Sequence, residues 1–138
     1  MDDKALVAKA IKAMERAYVP YSKFPVGAAL LCKDGTVITG ANIENSSYGA
    51  TICAERSAVV RACAEGHRDF VALAVSTELE EPASPCGICR QVLIEFGDFK
   101  VIMASSNSDK TIVTSTYGLL PYAFTPKSLE DHAKQAKK

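Results

Sequence analysis

The chain has 138 residues, of which 48% are hydrophobic and 23% are charged; this length and composition predict a single domain, residues 1–138, with one core. Its 16 basic and 16 acidic residues cancel, so no positive field would attract nucleic acid or an anionic membrane. No secretory leader pattern and no apolar run of the ~20 residues that a membrane span needs occur in it. We therefore expect a cytoplasmic protein whose partner is a small molecule.

The first third of the chain predicts a helix followed by a β-hairpin. Apolar residues recur at the helical period over residues 6–17, and Pro20 ends this helix. Two short apolar runs, residues 26–31 and 36–41, flank Asp34-Gly35, a dipeptide typical of tight turns between antiparallel strands.

The middle of the chain predicts helices that alternate with strands. Helices are expected over residues 53–65 and 86–96, each followed by a glycine that can end it, and strands over residues 70–76 and 101–104.

A short fifth strand at Ile112 and Val113 and a terminal helix over residues 128–137 complete the pattern, with Ser128 and Asp131 as the expected capping pair of that helix. Strands that alternate with helices predict an α/β fold with three α/β/α layers and a mixed five-stranded sheet. In such sheets ligands bind where strands end and helices begin.

Three cysteines and a glutamate lie at the predicted starts of two helices. Cys53 precedes Glu55 by two positions in TICAERSA, and Cys86 and Cys89 lie in SPCGICRQV. Structural zinc sites are usually closed by four protein ligands, whereas catalytic sites use three and leave one position to water or substrate. The three thiols therefore predict a Zn²⁺ cofactor that activates water.

The spacing of these residues constrains the fold. Cys86 and Cys89 are three apart and can share one face of a helix, whereas Cys53 and Glu55, two apart, would diverge on a regular helix. Cys53 is therefore expected at the N-cap, where the backbone is not yet helical. A helix N-terminus also lowers the pKa of a thiol, which favours metal binding.

Three thiolates on one divalent ion leave a negative charge that weakens the metal as a Lewis acid, so a nearby cation is expected. Arg56 follows Cys53 by three positions and Arg90 follows Cys89 directly. A guanidinium that donates to sulfur would withdraw charge from it, and we expect Arg56 to have this role.

Two non-catalytic interpretations remain open for the cysteines. A closed zinc site needs a fourth ligand, and His67 and His132 lack the spacing of a zinc finger. The CGIC segment has the spacing of a thioredoxin-like dithiol, although a third cysteine in CAE disfavours this role. Cys32 and Cys63 lie in apolar stretches and are expected in the core.

The CAE segment followed downstream by PCxxC is the zinc-deaminase signature. Together with FPVGAAL, NIENSSYG and LLPYAF, it makes the whole chain resemble the small homotetrameric cytidine deaminases of nucleoside salvage. The resemblance implies hydrolytic deamination of cytidine and 2'-deoxycytidine to uridine and 2'-deoxyuridine. It also implies a homotetramer in which neighbouring subunits complete each pocket.

The resemblance further implies a role for each matching residue. Zinc would be held by Cys53, Cys86 and Cys89, and protons would be moved by Glu55. The ribose would be bound by Asn42 and Glu44, the pyrimidine ring would lie against Phe24, and the base edge would be read by the backbone of Ala54 and by Glu55. A neighbouring pocket would be completed by Ser46, Tyr48 and Phe124. Alanine is more usual in the family where this chain has Ser46 and Ile88.

The reaction needs a nucleophile at C4 of the base, a proton at N3 and a proton on the departing amine. Zinc can lower the pKa of bound water from 15.7 to about 7, and Glu55 could act first as base and then as acid. A blasticidin-type deaminase and a non-catalytic zinc module are the alternative interpretations. A deaminase of nucleic acid is disfavoured because the sequence has no basic stripe and no tryptophan.

Overall fold

The structure, a computed structural model, describes residues 1–136. Its five helices are α1 (Asp3–Ala13), α2 (Ala54–Ala64), α3 (Gly87–Ile94), α4 (Thr116–Leu119) and α5 (Pro126–Ala136). Its five strands are β1 (Gly27–Cys32), β2 (Val37–Ala41), β3 (Phe70–Thr77), β4 (Lys100–Ser105) and β5 (Thr111–Ser115).

The five strands form one mixed sheet in the order β2-β1-β3-β4-β5. Strands β3 and β4 pair in parallel, and the other three pairs are antiparallel. The parallel pair is joined through α3, as a parallel connection requires a crossover. The predicted mixed five-stranded sheet is confirmed.

Helices cover both faces of the sheet. Leu6 and Ala10 of α1 pack against Ala29, Ala74 and Ile102 on one face. On the other face, side chains of α2 and α3 form a second cluster with residues of β1 and β3: Ala54, Ala58, Leu93, Leu30 and Leu73. The three-layer α/β/α arrangement is therefore confirmed, and it places both cysteine-bearing helices on the same face.

Helix α2 lies very close to β2 because Gly40 has no side chain. A Cβ atom at Gly40 would lie 2.5 Å from the backbone nitrogen of Ala58 and 2.7 Å from the carbonyl oxygen of Ala54. Real Cβ atoms do not approach other atoms so closely, so glycine is required for this packing. The contact fixes the first turn of α2, next to Cys53.

Local sequence signals explain several element boundaries. Asp2 caps α1, with its Oδ1 accepting a hydrogen bond from the backbone of Ala5 at 2.7 Å. The turn between β1 and β2 has Gly35 at φ 92°, and Gly66 and Gly97 follow α2 and α3 at φ 95° and 98°, as the sequence predicts. Helix α1 is shorter than expected, since residues 14–16 form a 3-10 turn.

The C-terminal region differs from the prediction. Helix α4 was not expected; it begins after Ser115, whose Oγ accepts from the backbone of Gly118 at 3.0 Å. Helix α5 begins at Pro126, so Ser128 is inside its first turn and accepts from the backbone of Thr125 at 3.2 Å. The capping pair is therefore wrong, because Asp131 bonds Lys127 instead, at 2.9 Å.

The predicted end of the terminal helix, Lys137, lies outside the described residues. Cys32 is buried in the core as expected, whereas Cys63 is only partly buried and packs against the cluster formed with α2 and α3. Within residues 1–136, no helix has the length and apolar character needed to cross a membrane.

Candidate metal centre

Two helix N-termini meet at the three cysteines. Cys53 is the N-cap of α2, with extended backbone angles of φ −69° and ψ 157°, as its two-residue spacing from Glu55 requires. Cys86 is the N-cap of α3 rather than part of its first turn, and Cys89 lies inside that helix. The packing of α2 and α3 on one face of the sheet brings these caps together.

The three sulfurs are spaced for one ion. Cys53 Sγ lies 3.8 Å from Cys86 Sγ, and all three Sγ atoms lie within 4.8 Å of one another. Two sulfurs bound to a tetrahedral zinc at ~2.3 Å would be ~3.8 Å apart. The donor set therefore fits zinc, and the three thiols are free of disulfide bonds.

The ligand set among the described residues consists of three cysteines. Within residues 1–136, no histidine, carboxylate or further cysteine joins the three sulfurs at this spacing. His67 instead faces Asp34, with 3.7 Å between Nδ1 and Oδ2. A three-ligand set is the arrangement of catalytic rather than structural zinc sites.

Mutual hydrogen bonding shifts the pKa values of Cys53 and Cys89 in opposite directions. Hydrogen bonding from Cys89, and then from Arg56 and Cys86, lowers the pKa of Cys53 to about 5. The same sharing of a proton raises the pKa of Cys89, and its burial adds to the effect. Hydrogen bonding within the group therefore favours a thiolate, which is the form of cysteine that binds zinc.

Arg56 and Arg90 have different environments. Arg56 Nη2 lies 3.5 Å from Cys53 Sγ, and the sulfur raises the pKa of the guanidinium. Arg90 instead donates to three oxygens, on Pro85 at 2.8 Å, Ser84 at 2.6 Å and Leu119 at 2.9 Å. The structure thus places Arg56 at the sulfur, while Arg90 connects the loop before Cys86 to the end of α4.

Glu55 is a buried carboxyl beside the cysteines. It is the second residue of α2 and is only 5% exposed. Desolvation is the main cause that raises its pKa to about 7, the charge of Cys53 adds to this rise, and Arg56 opposes it. A carboxyl with a pKa near neutrality can both accept and donate a proton.

Ala54 and Asn42 fix the backbone around the site. Ala54 is fully buried at the first position of α2, where backbone N–H groups have no acceptor within the helix. Asn42 Oδ1 accepts from the backbone of Val26, and its Nδ2 donates to the carbonyl of Phe24, both at 2.9 Å. Asn42 therefore shapes the segment that carries the half-buried Phe24.

Glu44 is held by the turn before Phe24. Its Oε1 accepts from the backbone of Tyr21 at 3.0 Å and of Ser22 at 3.1 Å, and its Oε2 accepts from Ser22 Oγ. The Ser22 hydroxyl is the main cause that lowers the pKa of Glu44, so this carboxylate is charged at neutral pH.

A cavity of about 360 Å³ adjoins the Glu44 carboxylate. It is lined by Tyr21, Ser22, Glu44, Tyr48 and Thr51, and Thr51 is two residues from Cys53. A larger cavity of about 630 Å³ lies between α1 and strands β4 and β5. That cavity is on the sheet face opposite the cysteines, whereas the smaller one adjoins Thr51, close in sequence to Cys53.

Three of the sequence-predicted residues are exposed in the single chain. Ser46 is exposed, Tyr48 is 75% exposed and Phe124 is 60% exposed. The backbone of Phe124 is tied to α3, since its carbonyl accepts from Gln91 Nε2 at 2.8 Å. Sequence reasoning missed Ser22, although a serine two residues before Phe24 is a typical turn former.

Comparison with known proteins gives a consistent picture. The profile of the cytidine and deoxycytidylate deaminase zinc-binding region matches residues 1–105. A cytidine deaminase of Halalkalibacterium halodurans is 53% identical over 133 residues, which are 95% of this chain and 100% of that protein. One of Sporosarcina psychrophila is 51% identical over 137 residues, which are 98% of this chain and 100% of that protein.

Solved structures agree with the sequence matches. The crystal structure of cytidine deaminase from Burkholderia pseudomallei has a TM-score of 0.87 and 48% identity, covering 90% of this chain and 100% of that chain. The enzyme from Mycobacterium tuberculosis has a TM-score of 0.76 and 41% identity, covering 90% and 98%. With its three sulfurs spaced for zinc, this chain belongs to the cytidine and deoxycytidylate deaminase family.

Proposed function

We propose that the protein is a zinc-dependent hydrolase that deaminates cytidine and 2'-deoxycytidine to uridine and 2'-deoxyuridine. The observation that carries this proposal is the pairing of three sulfurs within 4.8 Å of one another with a buried carboxyl whose pKa is about 7. Relatives that are about half identical over nearly the whole chain are named cytidine deaminases.

Glu55 moves the protons in the proposed mechanism. Zinc held by the three cysteines lowers the pKa of bound water to about 7 when it is present. Glu55 accepts one proton of the attacking water and passes it to N3 of the base. It then takes the second proton from the new hydroxyl on C4 and gives it to the amine, so that the C4–N bond breaks, ammonia leaves and C4 keeps the oxygen as a carbonyl. Burial raises the pKa of Glu55 to about 7, so at neutral pH one carboxyl can accept and then donate each proton in turn.

Arg56 and the helix N-termini control the charge of the cysteines. Three thiolates carry more charge than the ion, and the guanidinium of Arg56 lies 3.5 Å from Cys53 Sγ. Hydrogen bonds and positive charge at a metal ligand withdraw electron density from it. The N-caps of α2 and α3 add the positive ends of two helix dipoles.

The nucleoside lies in the cavity near Glu44 in this proposal. Glu44 and Asn42 bind the sugar hydroxyls, Phe24 lies against the pyrimidine, and the backbone of Ala54 reads the base edge together with Glu55. The ionised state of Glu44 supports this assignment, because a carboxylate is a strong acceptor for hydroxyl groups.

The enzyme is proposed to act in the cytoplasm as a homotetramer. Tyr48 and Phe124 are large aromatic side chains that are mostly exposed in one chain, and burial in a neighbouring subunit would stabilise them. Together with Ser46 they would complete a neighbour's pocket. The neutral overall charge favours a nucleoside rather than nucleic acid as substrate.

The test is the zinc-loaded Glu55→Gln variant. It should bind zinc with unchanged stoichiometry, because the three sulfurs are intact, and lose deamination of cytidine by at least about 10²–10⁴-fold. Turnover is followed by the loss of cytidine absorbance and by ammonia release, with Glu95→Gln, an exposed carboxylate, as the control.

Near-normal turnover by zinc-loaded Glu55→Gln would remove Glu55 from the mechanism. If the wild-type protein released ammonia from blasticidin S but not from cytidine, a blasticidin-type activity would replace the proposal. A zinc-loaded wild-type protein that deaminates neither compound would be a structural zinc module.

A further inference from the structure

One hydroxyl group connects two residues of the proposed nucleoside pocket. Ser22 Oγ donates to Glu44 Oε2 and accepts from the backbone N–H of Phe24 at 3.0 Å. The backbone N–H of Ser22 also donates to Glu44 Oε1 at 3.1 Å. Ser22 therefore sets the position of the sugar-binding carboxylate relative to the segment that carries the ring-binding phenylalanine.

The turn around Ser22 depends on these bonds. Lys23 has a φ of 59°, and its backbone donates to the carbonyl of Val19 at 3.1 Å. A residue other than glycine in this left-handed region is disfavoured and persists only where surrounding contacts hold it. The Ser22 hydroxyl spans Lys23, because it accepts a hydrogen bond from the backbone N–H of Phe24, the next residue in the chain.

The acceptor capacity of Glu44 is nearly used. Oε1 accepts from the backbones of Tyr21 and Ser22, and Oε2 accepts from Ser22 Oγ. An ionised carboxylate offers about four lone-pair positions, so about one remains, on Oε2. The Ser22 hydroxyl occupies one lone pair of Oε2. It therefore determines the direction in which the remaining lone pair of that oxygen points.

We propose that Ser22 is a positioning residue for nucleoside recognition, which aims the free lone pair of Glu44 Oε2 at a sugar hydroxyl and thereby favours substrates that carry that hydroxyl. The inference rests on the proposed function. It extends that function by assigning sugar specificity to a residue that acts through Glu44.

The test compares steady-state kinetics on cytidine and on 2',3'-dideoxycytidine, which lacks both hydroxyls of the ring. Ser22→Ala should raise KM for cytidine about tenfold, the loss of roughly one oriented hydrogen bond, with little change in kcat. KM for the dideoxynucleoside should change by a much smaller factor, because any shift of Phe24 affects both substrates alike and cancels in the ratio of their KM values. Ser22→Thr keeps the hydroxyl and should restore KM for cytidine.

A double-mutant cycle with Glu44 separates positioning from general damage. Because Ser22 acts through Glu44, Ser22→Ala should have almost no further effect on KM for cytidine in a Glu44→Ala background. The matched control is Ser108→Ala. Like Ser22 Oγ, Ser108 Oγ donates one hydrogen bond, in this case to the carbonyl oxygen of Glu80, and accepts one from the backbone N–H two residues later, that of Lys110. This control should leave both KM values unchanged.

The inference would be overturned if Ser22→Ala raised KM by the same factor for both nucleosides, or if Ser22→Ala and Glu44→Ala had additive effects on KM for cytidine. Ser22 would then only stabilise the turn. Ser22 is exposed, so folding should survive the change; if Ser22→Ala unfolds, Ser22→Cys carries the same comparison. A zinc-loaded wild-type protein inactive on cytidine would instead reject the proposed function, and this inference with it.

Discussion

Cys53 and Glu55 exchange their usual order of acidity at the start of α2. A thiol ordinarily has a pKa near 9.0 and a glutamate one near 4.5, but here the pKa of Cys53 falls to about 5 and that of Glu55 rises to about 7. The thiol gains hydrogen bonds from its neighbours, whereas the carboxyl is buried without a comparable partner. These opposite shifts suit the roles proposed above for the two residues, a metal ligand for Cys53 and a proton carrier for Glu55.

The raised pKa of Glu55 makes the stability of the metal-free protein depend on pH. The folded carboxyl holds its proton more tightly than the unfolded one, so its contribution is complete below about pH 4.5 and is lost as pH rises through about 7. Glu55→Gln cannot ionise. It should therefore nearly match the wild type near pH 4.5 and be more stable by roughly 3 kcal/mol at pH 8.

Urea unfolding of both metal-free proteins across this pH range measures the difference. Glu95→Gln, which alters an exposed carboxylate, is the control variant measured beside them. A Glu55→Gln curve parallel to the wild type would show that burial does not hold the proton on this carboxyl.

Residue roles that depend on short spacing were predictable, and those that depend on distant contacts were not. The N-cap position of Cys53 follows from its two-residue separation from Glu55, and the structure has it. The bonds from Asn42 to the Phe24–Val26 segment and from Ser22 to Glu44 join residues 16 to 22 positions apart. No local pattern indicates such a pairing, because the fold alone brings these residues together.

At the scale of elements, the alternation of helices and strands was sufficient to predict the layers and the sheet. The short helix α4 was not predicted, because its four residues are too few to show a helical period. It depends on the Ser115 cap and on packing against α3. Arg90 explains part of that packing, since it binds Leu119 at the end of α4. Propensity is a weak signal for elements that tertiary contacts stabilise.

The packing of α2 against β2 should be sensitive to a single methyl group added at Gly40. Gly40→Ala would place Cβ 2.5 Å from Ala58 N, so α2 must shift and carry Cys53 away from Cys86. We expect a loss of unfolding free energy of about 1–3 kcal/mol, as for other overpacked sites, together with weaker zinc binding. Zinc affinity is measured by competition with a chelator and stability by urea unfolding.

Gly49→Ala is the control for this change, because a Cβ there would meet no atom within 4 Å. It should alter neither zinc affinity nor stability by a comparable amount. A Gly40→Ala protein with wild-type zinc affinity would show that the first turn of α2 is positioned independently of β2.

At the scale of the whole molecule, two large aromatic side chains of the proposed pocket are exposed in the single chain. Tyr48 lines the cavity near Glu44 and is 75% exposed. Phe124 is 60% exposed, and its backbone is fixed by Gln91 two residues after the zinc ligand Cys89. Exposed aromatic side chains are enriched at contacts between subunits.

Subunit complementation tests whether Phe124 enters a neighbour's pocket. Phe124→Ala alone should lower turnover of cytidine about tenfold, the typical contribution of an aromatic contact, and Glu55→Gln alone should be nearly inactive. When the two are co-expressed, a Phe124→Ala subunit keeps Glu55 and receives Phe124 from a Glu55→Gln neighbour. Random mixing should then restore about a quarter of wild-type turnover in a symmetric oligomer with one donor per pocket.

The control pairs Glu55→Gln with Glu44→Ala, two changes that we assign to the pocket of the same chain, so that no mixture of these subunits forms a complete site. Restoration by the first pair and not by the second requires Phe124 to act across an interface, because both mixtures contain the same inactive partner. Sedimentation of the wild type should show a tetramer. If the first pair gave only the mean of its two single variants, Phe124 would serve its own chain and the exposed ring would need another explanation.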